Sequence, residues 1–391
     1  MYIIAPFLLF MMAFVILPAD RDKTTPYDFN TPKVLLPVIN PADNPATVEG
    51  VELGRKLFYD PALSGNGKQS CASCHKQELA FTDGLNVSRG TRGLRARRNS
   101  MALVNLGWQD TYFWDGRAGT LEALIHFPVT DTLEMNADTL EIKKVLNADS
   151  EYRTMFRRAF GTDKISMSLT AQALSQFLRT IVSYNTPFDR IYRDYLYNGG
   201  ETDVKTDREL LLNALLPGTE NKYGHDPDLV KAIREVSPDE KVINAFSRCI
   251  KCHYNTLQPF THPGNEPVLN GDQRVQFKNN GLDTSDMDRG RYQATGENRD
   301  RYLFKVPSLR NLTFTAPYMH DGRFKTLEQV VEHYNSGIKA NPALDTLLMD
   351  GKKPIRFNLT ADEKKQLVGM LLLFSDSSVI RDPRYAAPQP R

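Results

Sequence analysis

All four cysteines of this 391-residue chain fall in two short motifs, Cys71-Ala72-Ser73-Cys74-His75 and Cys249-Ile250-Lys251-Cys252-His253. Two thiols three residues apart suit the two vinyl groups of one haem, and the adjacent histidine meets the iron from one face. A zinc ribbon would draw on both cysteine pairs, and a thioredoxin-type dithiol has no use for a histidine after each pair. The spacing therefore predicts two covalently attached c-type haems. Cys71, Cys74 and His75 hold one; Cys249, Cys252 and His253 hold the other.

Apolar residues make up 41% of the chain and charged residues 25%, an ordinary globular balance. The net charge of +2 gives no reason to expect nucleic acid or an anionic membrane surface as partner. Arginine is locally dense at Arg89, Arg92, Arg95, Arg97 and Arg98. That run reads either as a patch for haem propionates or an acidic partner, or as a solvated loop.

Residues 1–20 read as an export segment. Ala5 to Leu17 is apolar throughout apart from Pro6, too short for a comfortable membrane span, and no Lys or Arg precedes it. Both a cleaved signal peptide and an uncleaved anchor are compatible with it. Export predicts a periplasmic protein, with membrane contact only through such an anchor.

The rest divides into a proline-rich strap at 21–47, a first haem domain at 48–200, a linker with an inserted loop at 201–240, and a second haem domain with its tail at 241–391. The polar stretches 197–206 and 217–226 mark the linker and the loop. Apolar spacing predicts helices at Val51–Tyr59, Leu121–His126, Asp138–Ala148, Glu151–Phe160, Thr170–Ser183 and Lys241–Phe246, and at Ala361–Leu373 with Thr360 as N-cap. Strand signals are few. The expected fold is mainly α, two cytochrome c-like domains each wrapped round one haem.

An internal repeat supports two domains. Asn105-Leu106, Asp115-Gly116-Arg117 and Thr120-Leu121-Glu122 recur as Asn311-Leu312, Asp321-Gly322-Arg323 and Thr326-Leu327-Glu328, at an offset of 206 throughout. Each copy lies downstream of one cysteine motif. Trp114 in the first copy stands where His320 stands in the second.

What meets the far face of each iron decides between closed electron transfer and open chemistry. His126, His225, His262, His320 and His333 remain as candidates, and spacing does not choose among them. The chain also carries FTDG (Phe81–Gly84), RNS (Arg98–Ser100), FWDGRA (Phe113–Ala118), PVTDTLEM (Pro128–Met135), VPSLRNLTFTAPYMHDGR (Val306–Arg323) and TLEQVVEHYN (Thr326–Asn335). In these it resembles the bacterial di-haem cytochrome c peroxidase family, which includes the MauG-like branch, in family order from about residue 48 to 376.

The resemblance implies the following roles. Trp114 mediates electron transfer between the haems. Glu134 lies over the open face of the first haem as acid and base for peroxide. Asn99 and the carbonyls of Thr315 and Pro317 hold one calcium ion. His320 lies near the haems. In family peroxidases that need reductive activation, a histidine before RNS caps the first haem; here Thr91 occupies that place, so the first haem is expected open in the resting state. Where those peroxidases supply a late methionine to the second iron, this chain has Tyr334, as in the MauG-like branch. His333 and Met319 are weaker rivals for that position. Leu124 stands where family members often carry Gln.

Residue chemistry is compatible with these roles. A carboxylate can take and return a proton during peroxide cleavage, and carbonyl and amide oxygens suit a hard cation. A core tryptophan, a solvated loop acid and a core tyrosine are the plainer readings of Trp114, Glu134 and Tyr334. The expected function is reduction of hydrogen peroxide to water with electrons from a small redox protein. The alternatives are a MauG-like oxidase of a protein or small molecule, and a non-catalytic electron carrier. Monomer and homodimer are both compatible with the sequence.

Overall fold

The computed structural model describes residues 24–31, 37–190, 238–257, 276–283 and 288–389. The expected export segment, the linker at 197–206 and the loop at 217–226 lie outside them. Among the described residues no helix is long and apolar enough to cross a membrane.

The first half is built on α1 (Val48–Tyr59) and α6 (Met167–Thr180), which lie against each other. Thr47 caps α1 by accepting from the Gly50 amide, so the helix begins three residues earlier than its apolar spacing predicts. Leu53, Leu57 and Phe58 point into the core, and burying such side chains contributes about 1.5–3 kcal/mol each. Gly54 lets the helices touch: a Cβ there would collide with the Ala173 carbonyl. Between them run α2 (Cys71–Cys74), α3 (Leu121–Thr130), α4 (Thr139–Ala148) and α5 (Ser150–Phe160). Asp138 and Asp149 cap α4 and α5, and Gly161 ends α5 in the left-handed region.

The second half centres on α7 (Glu240–Leu257), packed on a late helix, Ala361–Leu372. Val242, Ala245 and Phe246 meet Leu367, Met370, Leu371 and Phe374 in one cluster. Thr360 caps the late helix, as its sequence predicts, and Glu363 completes a reciprocal capping box with it. The prediction for α7 stopped too early. The helix continues through Cys249–His253 because no glycine or proline interrupts it, and Arg248 and Lys251 take its exposed side. The second half also carries two short antiparallel pairs: Phe277–Lys278 with Phe304–Lys305, and Met349–Asp350 with Lys353–Pro354.

The repeat is structural as well as sequential. Asn105 and Asn311 both adopt positive φ (59° and 64°), as do Phe113 and Met319 (67° and 75°) and Gly116 and Gly322 (69° and 65°). Tyr112 bridges to Ala118 as Tyr318 does to Phe324, and each tyrosine hydroxyl donates to the carbonyl six residues back.

The tail crosses back onto the first half. Val379 and Tyr385 join its core, and Gln77 Nε2 donates to the Val379 and Asp382 carbonyls.

Candidate active site

A cavity of about 1790 Å³ carries all four cysteines on its wall, together with His75 and His253. Each histidine is fixed by its other ring nitrogen. His75 Nδ1 lies 2.8 Å from the Phe81 carbonyl, and His253 Nδ1 lies 2.8 Å from the Pro307 carbonyl. A carbonyl only accepts, so Nδ1 carries the proton and Nε2 keeps a lone pair for a metal. Burial lowers the pKa of both, His253 to about 4, which holds the imidazoles neutral. Burial also pushes the Cys71 and Cys249 thiols up to about 12, with Cys74 and Cys252 adding to it in turn. Paired thiols and a neutral, oriented imidazole at two places on one wall suit two covalent haems. The sequence could not show the carbonyls of Phe81 and Pro307 as orienting groups, because any residue supplies a carbonyl.

Glu134 stands on the same wall, half-buried. Burial raises its pKa and Asp131 adds to the effect, against Arg117 and Arg97. The loop that lacks a histidine is docked directly on it. The Thr91 amide donates to the Glu134 carbonyl at 2.8 Å, and the Thr91 hydroxyl lies 3.3 Å from the Met135 carbonyl. Gly90 makes this possible, since any Cβ there would strike the Leu133 and Glu134 carbonyls. Leu124 also lines the cavity.

Trp114 lines the cavity and donates from Nε1 to the Asn99 carbonyl at 2.9 Å. Its ring centre is 6.5 Å from that of His320, which stacks on Phe304 at 3.9 Å. Asn99, Thr315 and Pro317 come to the same wall. The Asn99 amide nitrogen donates to the Leu85 and Asn86 carbonyls, which leaves Oδ1 as an acceptor.

Tyr334 and His333 part company. Leu327, Val330, Val331 and Tyr334 all line the cavity, and Leu327 and Val331 also belong to the core of the second half. The helix Leu327–Glu332 loosens at His333 into a π-helical stretch, His333–Gly337. His333 is turned away, with Nε2 2.9 Å from the Asn280 carbonyl. Burial raises the Tyr334 phenol, against a side-chain hydrogen bond with Asn280, and Cys249 and Cys252 add to the rise. Met319 lines the cavity too, 3.6 Å from the Asn280 amide nitrogen.

Of the dense arginines, Arg98 is nearly buried. It pairs with Asp115 at 2.6 Å and Asp288 at 2.7 Å, while Arg97 reaches Asp131 at the surface.

The family profile for di-haem cytochrome c peroxidase matches residues 48–195. The chain is 33% identical to the methylamine utilization protein MauG of Methylorubrum extorquens, over 85% of this chain and 80% of that one. The chain belongs to the di-haem cytochrome c peroxidase family. Membership makes it a two-haem c-type cytochrome of an oxidoreductase family, and the mainly helical fold agrees. A cytochrome-c peroxidase of Denitromonas iodatirespirans is 32% identical over 90% of this chain and 88% of its own. Among solved structures, a MauG-like protein associated with microbial copper homeostasis superposes with a TM-score of 0.69 at 31% identity, covering 93% of this chain and 99% of that one. The diheme peroxidase BthA of Burkholderia thailandensis, at 19% identity and a TM-score of 0.59, shares the fold.

Proposed function

We propose that this protein reduces hydrogen peroxide to two molecules of water, using two protons and two electrons from a small redox protein. The haem held by Cys71, Cys74 and His75 supplies the iron at which peroxide is reduced. Glu134 accepts the proton of the incoming peroxide at its carboxylate and returns it to the departing oxygen. Electrons enter at the Cys249–His253 end, and Trp114 bridges the two sites. The observation that carries this reading is the Glu134 wall: a half-buried acid of raised pKa, held by a docked loop with Thr91 where a capping histidine would stand. That same loop argues against a closed electron carrier. Asn99 Oδ1 with the Thr315 and Pro317 carbonyls is the oxygen set for one calcium ion. The periplasm is the compartment this reading implies.

A second reading is a MauG-like oxidase that uses peroxide to oxidise a protein or small molecule. Tyr334, on the wall of the cavity that also carries the second cysteine pair, favours it, because a phenolate ligand stabilises ferric iron where a thioether favours ferrous. Turnover of peroxide with a small reduced cytochrome, without prior half-reduction, decides between them. Steady consumption of the cytochrome is expected. Peroxide consumed with no oxidation of the cytochrome would transfer the case to the oxidase.

A further inference from the structure

Lys305 is 5% exposed and lines the cavity. Its ammonium donates to Gln109 Oε1 and stands 5.8 Å from the centre of the Tyr112 ring. Among the described residues no carboxylate lies within ion-pair distance of it. Asp110 acts on it only at longer range and is engaged by Gln276 Nε2 at 2.8 Å. Burial accordingly lowers its pKa to about 8. A buried charge without a counter-charge costs several kcal/mol, roughly, and a bound anion would offset that cost.

The repeat gives Lys305 a counterpart in the first half. Lys305 lies 206 residues after Asn99 and is its structural counterpart. The Asn99 amide donates to the His320 carbonyl and the Lys305 amide to the Trp114 carbonyl, both at 2.7 Å, and Trp114 and His320 are themselves counterparts. Lys305 is also two residues from Pro307, whose carbonyl orients His253. One repeat thus offers the seam an oxygen and the other an ammonium.

We propose that Lys305 is an anion-binding residue for a propionate carboxylate of the haem attached at Cys249 and Cys252. Its positive charge then also raises the reduction potential of that haem. The inference rests on the two-haem reading, and a haem stain of the denatured protein tests that reading by itself. The experiment compares Lys305→Met and Lys305→Arg with the full native chain by spectroelectrochemical titration of both haems. Lys305→Met is expected to make reduction of the second haem roughly tenfold less favourable, ~59 mV for one electron, with Lys305→Arg close to the native value. Unchanged potentials, a shift confined to the first haem, or equal shifts in both variants would overturn it. If Lys305→Met fails to accumulate, Lys305→Gln carries the same comparison.

Discussion

On the proposed reading, Glu134 is the acid and base for peroxide. Its pKa is raised by burial, so its base form appears only above the ordinary carboxylate range of about 4.3. The rate of reaction with peroxide should therefore fall on the acid side at a higher pH than an exposed glutamate would give. Glu134→Gln should slow that reaction by about 10²–10⁴-fold and abolish the acid limb. Stopped-flow mixing across pH checks both, and an unaltered acid limb would assign it to another group. Tyr334→Met should raise the potential of the second haem. An unchanged potential and spectrum would remove Tyr334 from the iron. Both residues were legible in the sequence only through resemblance. Glutamate is common in loops, and the spacing of Tyr334 fits a core face equally well. The structure adds that both side chains line one cavity with the cysteine motifs.

At the scale of elements, the helices were the most legible part. Thr360 was read as a cap because capping needs only residues within one turn. The loop over Glu134 was not legible as a seat. Its Gly90 looks like any loop glycine until the Leu133 and Glu134 carbonyls come against it. Gly90→Val should destabilise the protein by about 1–3 kcal/mol and slow the peroxide reaction, since the loop cannot dock. A melt combined with the same stopped-flow assay checks this; full reactivity in the variant would make the docking incidental. The change to π-helical winding at His333 was equally invisible. Within that stretch His333 meets the Asn280 carbonyl while Tyr334 lines the cavity.

At the scale of the molecule, the duplicated Asp-Gly-Arg element is where the halves meet. Gly116 accommodates Phe277 and Arg291 from the second half, and Gly322 accommodates the Asn86 backbone from the first. Arg98 closes the seam, pairing with Asp115 on its own side and Asp288 across it, with its guanidinium 5.4 Å from the Phe304 ring centre. Its side chain is 9% exposed, so Arg98→Met should cost about 3 kcal/mol, the low end for a broken buried pair because Arg117 still serves Asp115. A lowered denaturation midpoint checks the cost. Slower electron equilibration between the haems would show that the seam also sets their spacing.

The two Cys-x-x-Cys-His motifs pointed to two haems, which family membership bears out, because covalent attachment is encoded within five consecutive residues. The offset of 206 determined that the chain is a duplication. Neither could say that the copies pair across a seam, that Thr91 rests on Glu134, or that Lys305 brings an ammonium to the place corresponding to Asn99. Those relations join residues far apart in the chain, and only the packed halves bring them within hydrogen-bonding reach.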